Sequence, residues 1–224
     1  MLVRSQVTWP CYSVDWVIPE FFIPQPIKNF YAPIKTKLYE DTYPYSVYFL
    51  AGSQTSEKNG ILYYMKWFNL HRTLYDGDPD NEADSESEGG EPLMDHIAIK
   101  AKGNINKVRT MKHSNIAAYW SDLGSIELVN IQSHIEKMEE RWKDDEDKDA
   151  DINKKPQKKR KIEAKDCHVK SFKKKSEGFA LDWNNFLPGV FACGGYDNEI
   201  EVFLPKDENC SDYIGGENNI YNYR

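Results

Sequence analysis

Residues 178–204, with the sequence GFALDWNNFLPGVFACGGYDNEIEVFL, decide the fold class of this 224-residue chain. The stretch contains three short β-prone runs, at residues 178–183, 189–193 and 199–204. A Gly-Gly-Tyr-Asp-Asn segment separates the last two runs, and glycine and asparagine accept a positive φ at low cost. The last run alternates apolar and acidic residues, which predicts a strand with its isoleucine and valine facing inward. The stretch therefore predicts three antiparallel strands in a row.

A second stretch repeats this plan. Residues 118–131, AYWSDLGSIELVNI, and residues 193–204, CGGYDNEIEVFL, each contain a strand, a turn with Asp and Gly, and an alternating strand with Ile and Val inward. An aromatic after Asp182, a glycine-rich turn with an Asp, and a strand ending in an aromatic are typical of one blade of a WD-repeat β-propeller. The two copies lie further apart than the ~40–45 residues of one WD repeat, and a charged insertion accounts for the excess.

The rest of the chain supplies more β-prone runs and one helix. Ile135, Met138 and Trp142 have helical spacing, which predicts a short helix at the start of residues 133–150 that ends in a charged linker. The remaining β-prone runs lie at residues 8–17, 43–51, 60–68, 96–101, 105–111, 116–120 and 125–131. We therefore predict an all-β fold, a partial WD-repeat β-propeller of about two and a half blades with disordered charged insertions.

The predicted blades and insertions divide the chain into six parts. They are a first blade (8–75), an acidic disordered loop (76–92), a second blade (96–132), a short helix with a charged linker (133–175), a third, incomplete blade (176–204) and an irregular tail (205–224). The tail shows no periodicity that would supply the next strand of the third blade.

Composition narrows the class of protein. A hydrophobic fraction of 40% with 13% aromatic residues is typical of a folded domain. No run of 18 apolar residues occurs and the first residues lack the apolar segment of a secretory signal, so we expect no membrane partner. The four cysteines are scattered, which predicts reduced thiols in an intracellular protein. The net charge of −7 conceals two blocks of opposite sign.

The acidic block, residues 76–91 (DGDPDNEADSESEGGE), contains eight acids and no base. It has too little apolar surface to offset its ordering entropy, which predicts a disordered loop. Many carboxylates on such a tether attract Lys/Arg-rich clients through salt-screened forces, whereas the alternative is a solvated loop that only joins two strands. The predicted client-binding residues are Asp76, Asp78, Asp80, Glu82, Asp84, Glu86, Glu88 and Glu91.

The basic block, residues 154–161 (KKPQKKRK), follows the predicted helix. Importin grooves bind clustered Lys and Arg on an extended segment, and Pro156 favours extension. The alternatives are nonspecific contact with RNA and a solubilising linker. The residues predicted to act in nuclear import are Lys154, Lys155, Lys158, Lys159, Arg160 and Lys161.

We expect no enzymatic activity, no metal and no cofactor. The chain lacks a G-x-S-x-G motif, a Walker loop and a catalytic carboxylate pair with a defined frame. Asp122 and Asp197 lie in predicted turns, where an Asp typically accepts hydrogen bonds from backbone N–H groups. The five histidines show no ligand spacing, so we predict surface or packing positions for His71, His96, His113, His134 and His168. We expect contact with nucleic acid only indirectly or nonspecifically.

Several short sequence segments follow one another along the chain in a recognisable order. They are TWPCYSVDWV (8–17), YFLAGSQTSEKNGILYYMKWFNL (48–70), an acidic insertion, INKVR (105–109), YWSDLGSIELVNI (119–131) and EGFALDW (177–183). In this order they resemble the glutamate-rich WD-repeat proteins, relatives of the histone-binding subunits of chromatin assembly complexes. The resemblance covers about residues 8–205. It implies a β-propeller that chaperones basic clients, which are core histones in chromatin-linked members and a new large-subunit ribosomal protein in the nucleolar branch.

The residues and the resemblance together predict a nuclear, nucleolar chaperone for basic proteins in ribosome biogenesis, with a ribosomal protein, core histones and importin as partners. The alternative is a passive WD-repeat scaffold that bridges protein partners in chromatin assembly. A propeller closes with ~4–8 blades, more than the two and a half predicted. We therefore expect a truncated member of the family, or one that a partner completes.

Overall fold

The computed structural model describes residues 6–17, 44–56, 58–71, 91–112, 114–146, 162–163, 167–206 and 213–214. Almost all of the secondary structure in these ranges is β-strand. In chain order the elements are β1 (Cys11–Trp16), β2 (Tyr45–Ser53), β3 (Ile61–Leu70), β4 (Leu93–Lys100), β5 (Ile105–Thr110), β6 (Ile116–Ser121), β7 (Ser125–Asn130), α1 (Gln132–Glu146), β8 (Ile162–Glu163), β9 (His168–Lys173), β10 (Gly178–Trp183), β11 (Phe191–Gly195), β12 (Ile200–Pro205) and β13 (Tyr213–Ile214).

The strands form three sheets that follow one another along the chain. The first sheet has the order β1-β2-β3-β4-β8, the second β5-β6-β7-β9 and the third β10-β11-β12-β13. All pairs are antiparallel except β4 and β8, which run parallel. The predicted all-β fold is confirmed, and the arrangement is that of a partial WD-like β-propeller. Within the described ranges the strands do not close into a barrel.

Four strands, β4, β8, β9 and β13, lie elsewhere than the sequence predicted. The run at residues 96–101, expected to open the second blade, belongs to β4 and pairs along its length with β3. The strand β9 lies within the segment expected to be a linker, and it completes the second sheet beside β7. The two-residue strand β13 lies in the tail and pairs with β12. β9 has the composition of a charged linker because it is an edge strand, where lysines keep the open edge in water.

The inward face of β12 is the reverse of the predicted one. Ile200, Val202 and Leu204 point to solvent, whereas Phe203 is buried. Phe203 stacks on Phe191 with ring centroids 4.7 Å apart, in the core between the second and third sheets. Phe203 lies on the face that meets the second sheet, where it packs on Phe172 and Phe191, and alternation alone does not identify which face that is.

Two apolar layers hold the three sheets together. The layer between the first and second sheets includes Leu50, Leu62, Tyr64, Ile99, Ile105, Val108, Tyr119 and Val129. The layer between the second and third sheets includes Ala118, Trp120, Ile126, Leu128, Leu181, Trp183, Phe191, Cys193 and Phe203. Each inner sheet face therefore packs on the next sheet, as in a stack of propeller blades.

The helix α1 packs against the first of these layers. Ile135 and Met138, the spacing of which predicted the helix, are fully buried in that layer. Asn130 Oδ1 accepts the backbone N–H of Gln132 at 2.9 Å, which satisfies one of the free donors at the helix start. The predicted helix is thus confirmed for Gln132–Glu146.

Candidate functional site

The acidic block connects two adjacent strands of the first sheet. Phe68 in β3 pairs with Leu93 in β4, so the chain leaves and re-enters the sheet at neighbouring positions. Asn69, with φ of 58°, donates from Nδ2 to the carbonyl oxygen of Glu91 at 3.0 Å and holds the two ends together. Of the predicted client-binding acids, only Glu91 lies within the described residues, and it is exposed. The other seven acids lie outside the described residues.

The basic block is attached to the same sheet. It lies outside the described residues, between the end of α1 at Glu146 and the start of β8 at Ile162. The β8 residues pair in parallel with the end of β4, with Ile162 opposite Ile99 and Glu163 opposite Lys100. The chain that follows the basic block is therefore fixed to β4.

Two ion pairs fix α1, and with it the start of the segment that carries the basic block. Glu139 accepts hydrogen bonds from Lys66 Nζ at 3.2 Å and from the Tyr48 hydroxyl at 2.9 Å, and Lys66 and Glu139 are both largely shielded from solvent. Arg141 Nη2 lies 3.2 Å from Asp95 Oδ2 in β4. The hydrogen bonds to the charged Glu139 are stronger than neutral ones. The helix is therefore held on the first sheet at both the β3 and the β4 strands.

These attachments define one region of the molecule, which we call the outer edge: β4, β8 and the turns of α1 that contact the first sheet. The acidic block enters β4 at its start, and the basic block ends where β8 pairs with the end of β4. Both charged blocks are thus tethered to a rigid strand of a packed sheet.

Three of the sequence segments that resemble the glutamate-rich WD-repeat proteins lie side by side in the structure. These segments fall on the first strands of the three sheets: TWPCYSVDWV contains β1, INKVR covers all but the last residue of β5, and EGFALDW contains β10. Asn106 donates from Nδ2 to Glu177 Oε2 at 3.0 Å, and the Trp183 indole N–H donates to the carbonyl of Arg109 at 3.0 Å. Ser13 Oγ accepts the N–H of Val108 at 3.1 Å. These three sequence segments therefore supply contacts between neighbouring sheets.

A polar cleft opens where the turns of the first two sheets meet. It has a volume of about 640 Å³ and is lined by Thr55, Ser56, Lys58, Asn59, Asn104, Asp122 and Leu123. Asp122 accepts hydrogen bonds from the backbone N–H of Asn104 at 2.8 Å and from its side-chain amide at 3.1 Å. The predicted turn-holding role of Asp122 is observed, although its partner belongs to the neighbouring turn. Asp197 accepts from the N–H of Glu199 within its own turn at 3.3 Å.

A fully buried carboxylate, Glu127, joins β7 to β9. It accepts hydrogen bonds from Ser125 and Ser171 at 2.7 Å and from Lys102 at 3.1 Å, and it contacts His168 Nε2 at 2.7 Å. Burial by itself raises the pKa of this carboxyl, but these hydrogen bonds outweigh burial and lower the pKa of Glu127 below its ordinary value. The group is therefore a carboxylate at neutral pH and stabilises the second sheet.

The remaining cysteine and histidine side chains of the described ranges serve packing. Burial raises the pKa of Cys193 to about 12, so this thiol is protonated at neutral pH. Of the predicted surface or packing histidines, His96 lies edge-on to Tyr63, and His134 is fully buried in the first turn of α1. Among the described residues no group of three or more His, Cys, Asp or Glu side chains is placed to hold a metal ion. In the same ranges no helix has the length and apolar character needed to cross a membrane.

Sequence reasoning missed the residues that fix the outer edge. Glu139 follows Met138 on the buried side of α1, and a Glu beside the apolar stripe was the one available signal for a partner on the sheet. Lys66 stands inside a hydrophobic run, where a lone lysine indicates a buried partner. The two-residue strand β8 gave no signal, because a single pair of residues has no periodicity.

Comparison with known proteins supports the fold and the resemblance. The chain is 28% identical over 218 residues to Glutamate-rich WD repeat-containing protein 1 of Dictyostelium discoideum. The alignment covers 90% of this chain and 38% of that protein. It is 25% identical over 218 residues to Ribosome assembly protein rrb1 of Schizosaccharomyces pombe, covering 93% of this chain and 38% of that protein. No family model matches the chain.

Together, the three sheets and these relatives indicate the class of protein, a β-propeller built from WD-like blades. Within that class, both relatives support the family that the sequence segments indicated, the glutamate-rich WD-repeat proteins. The chain spans 38% of the length of each of these relatives.

Proposed function

We propose that this chain is a binding protein of ribosome assembly, without enzymatic activity, that chaperones basic proteins. Its clients on this proposal are a large-subunit ribosomal protein and core histones. One relative is named as a ribosome assembly protein, which supports the general process. The observation that carries the proposal is the acidic block, which is inserted between two paired strands of a packed sheet with its ends joined by Asn69 and Glu91.

The physical basis is electrostatic. Eight carboxylates within sixteen positions, from Asp76 to Glu91, give a high local density of negative charge. Charges separated by more than the Debye length, about 8 Å at physiological ionic strength, are largely screened, so the block acts on clients that come close. A Lys/Arg-rich client that contacts the block has its charge neutralised and is kept from nonspecific contact with RNA.

The alternative is a passive scaffold that bridges protein partners in chromatin assembly. The polar cleft between Asn59 and Leu123 favours it, because an open cleft lined by amides and hydroxyls suits a short peptide of a partner. A scaffold binds its partners without protecting a basic client from aggregation.

Suppression of aggregation separates the two functions. Core histones or a basic ribosomal protein are diluted from denaturant into low-salt buffer, and light scattering is followed with and without the chain. A chaperone lowers the scattering, and a variant with the eight acids of the acidic block replaced by Ser and Asn does not. The control neutralises six other acids, which lie among lysines next to the basic block: Asp144, Asp145, Glu146, Asp147, Asp149 and Asp151. We expect this control to protect the client as the unmodified chain does, whereas no protection by the unmodified chain favours the scaffold.

We further propose that the protein acts in the nucleus, within the nucleolus. We also propose that importin binds the basic block. Support comes from the clustered Lys and Arg of residues 154–161 and from the process named for one relative. A fluorescent reporter fused to residues 153–165 should enter the nucleus. The same reporter with Lys158, Lys159 and Arg160 changed to Ala should remain in the cytoplasm, and a cytoplasmic unmodified reporter would contradict the import role.

A further inference from the structure

The connection between the second and third strands is longer in the first sheet than in the other two. All three sheets have a register shift after the first residue pair of their first two strands, so equivalent positions can be compared. The connection has seven residues in the first sheet (54–60), three in the second (122–124) and four in the third (196–199). The loop at 54–60 is therefore longer than closing the hairpin requires. In repeat proteins, insertions of this kind lie in loops on one face, which is often the binding face.

Equivalent hydrogen bonds fix both ends of this loop and of its counterpart in the second sheet. At the start, the backbone N–H of Gln54 donates to the carbonyl of Pro10 at 3.0 Å, as the N–H of Asp122 donates to the carbonyl of Asn104 at 2.9 Å. At the end, the carbonyl of the last loop residue accepts a backbone N–H from the chain after the fourth strand in both sheets. The extra residues of the first loop therefore lie between two fixed ends.

The extra residues form one wall of the polar cleft described above. The loop supplies four of the seven residues that line the cleft, and the β6–β7 turn supplies two on the other wall. The backbone N–H of Thr55 donates to Asn104 Oδ1 at 2.8 Å, and the Thr55 hydroxyl donates to the carbonyl of Asn59 at 3.0 Å. These hydrogen bonds shape the cleft within the chain itself, so its walls are formed before a ligand binds.

The polar side chains that the cleft leaves unengaged are mainly donors. Among the described residues, the side chains of Ser56, Lys58 and Asn59 make no hydrogen bond or ion pair with the chain. The carboxylate on the other wall, Asp122, is already held by two hydrogen bonds from Asn104. An ammonium, a hydroxyl and an amide together suit an anionic group, because charge-assisted hydrogen bonds are stronger than neutral ones.

The charges of the cleft favour a carboxylate over a phosphate. Among the described residues that line it, Lys58 is the one cation and Asp122 the one anion. A doubly charged phosphate would therefore meet more repulsion from Asp122 than a singly charged carboxylate does. Leu123 lies beside these polar groups, is 62% exposed, and offers apolar contact surface that a free anion does not use. An acidic residue next to an apolar one in a peptide uses both features.

We propose that this cleft binds a short peptide of a partner protein in which an Asp or Glu lies beside an apolar residue. The carboxylate contacts Lys58 and Ser56, a peptide amide group pairs with the Asn59 side chain, and the apolar side chain packs on Leu123. The proposal names the ligand chemistry of the scaffold alternative, and it does not depend on client binding by the acidic block.

The cleft and the acidic block are attached to opposite ends of β3. The loop at 54–60 precedes Ile61, the first residue of the strand, and the acidic block follows its last residue, Leu70. A strand of ten residues spans about 30 Å, at roughly 3.3 Å per residue. An acidic partner and a basic client can therefore bind at separate ends of one sheet.

Fluorescence anisotropy on the full chain tests the proposal with a panel of fluorescein-labelled hexapeptides. Each contains one Asp or Glu beside one Leu, Ile, Phe or Tyr, and its counterpart in the panel has Asn or Gln instead of the acid. At physiological ionic strength we expect acidic peptides to bind about tenfold more tightly than their amide counterparts. A panel in which no acidic peptide binds more tightly than its counterpart overturns the proposal.

Lys58→Glu separates the cleft from the other basic parts of the chain, including the basic block. It should weaken binding of the acidic peptides about tenfold or more, because it replaces the attracting charge by a repelling one. Lys112→Glu is the matched control, with the same charge change at an exposed lysine in the β5–β6 connection, at the other end of the second sheet. An unchanged affinity in Lys58→Glu, or equal losses in the two variants, overturns the proposal. Lys58→Gln repeats the test if the charge reversal lowers the unfolding temperature.

Two further measurements identify the ligand class and the site. Inorganic phosphate should not displace a bound acidic peptide beyond the effect of sodium chloride at the same ionic strength, and specific displacement would overturn the assignment to a carboxylate. The variant with the eight acids of the acidic block replaced by Ser and Asn should bind the peptide panel as the unmodified chain does. Loss of client binding and loss of peptide binding are thus distinguishable, and a panel that no longer binds to this variant contradicts the separate cleft.

Discussion

Asp15 and Thr110 join two sheets through one carboxylate. Asp15 Oδ2 accepts the backbone N–H of Thr110 at 2.7 Å and its hydroxyl at 3.0 Å. Thr110 is buried and stands at the end of the first strand of the second sheet. The contact satisfies a backbone donor that no strand pairing uses, and it fixes the angle between the first and second sheets.

Asp15→Ala should lower the free energy of unfolding by about 1–3 kcal/mol, because it leaves the N–H of Thr110 without its charged acceptor. Urea unfolding followed by tryptophan fluorescence measures the change. Asp182→Ala is the comparison, since Asp182 holds the same position in the third sheet. Its ion pair with Arg109, at 3.6 Å, is mostly exposed and screened by solvent, so its loss should cost only about 0.5 kcal/mol. Equal losses from the two substitutions would show that the bridge does not hold the sheets.

Gly178→Ala should destabilise the contact between the second and third sheets by about 1–3 kcal/mol, the usual cost of overpacking. A Cβ at this position would lie 2.6 Å from the carbonyl oxygen of Gly194 and 2.7 Å from the ring of Trp120. At Gly194 the nearest atom to an added Cβ is 3.5 Å away, which is ordinary van der Waals contact. Thermal unfolding of the two alanine variants compares them, and a Gly194→Ala loss as large as that of Gly178→Ala contradicts the packing.

Glu139→Gln should loosen α1 while the sheets stay folded. The substitution removes the charge that accepts hydrogen bonds from Lys66 and Tyr48, and charge-assisted bonds of this kind contribute about 1.5–3 kcal/mol. Amide hydrogen exchange in α1 should therefore become faster, with unchanged protection in β3. Glu140→Gln, at an exposed neighbouring position, serves as the control. Unchanged exchange in the Glu139 variant would mean that apolar packing alone holds the helix.

Stability should fall on acidification through Glu127. The folded-state pKa of this carboxyl is lowered, so its contribution is present above the ordinary pKa of 4.5 and is lost as the pH falls from there through the folded value. Urea midpoints measured between about pH 6 and pH 3 should decline more steeply for the unmodified chain than for Glu127→Gln. Parallel declines in the two proteins would show that Glu127 does not contribute to the pH dependence of stability.

Much of the fold was predictable from periodicity and turns. The strands β2, β3, β5, β6, β7 and β10 lie within a few residues of their predicted limits, because long β-prone runs between Gly and Asn turns give a clear signal. The face of β12 was predicted wrongly because alternation identifies two faces but not which is inward. Phe191 and Phe203 decide that question through their packing on the second sheet, and this contact is remote in sequence.

Less of the candidate site was predictable. The charged blocks stood out by composition, but their attachment to β4 depends on Asn69, Glu139 and the two residues of β8, none of which forms a motif. Such contacts join positions far apart in the chain, so no local sequence pattern predicts them. The acidic and basic residues themselves stay predictions, since all but Glu91 lie outside the described residues.

The salt dependence of binding tests most directly whether the acidic block binds basic clients. Affinity for core histones should be measured over a range of salt concentrations for the unmodified chain and for the variant with all eight acids of the block replaced by Ser and Asn. We expect the affinity of the unmodified chain to fall steeply as the salt concentration rises, and the variant to lose this salt-sensitive binding. Equal binding of the two proteins at low salt would contradict it.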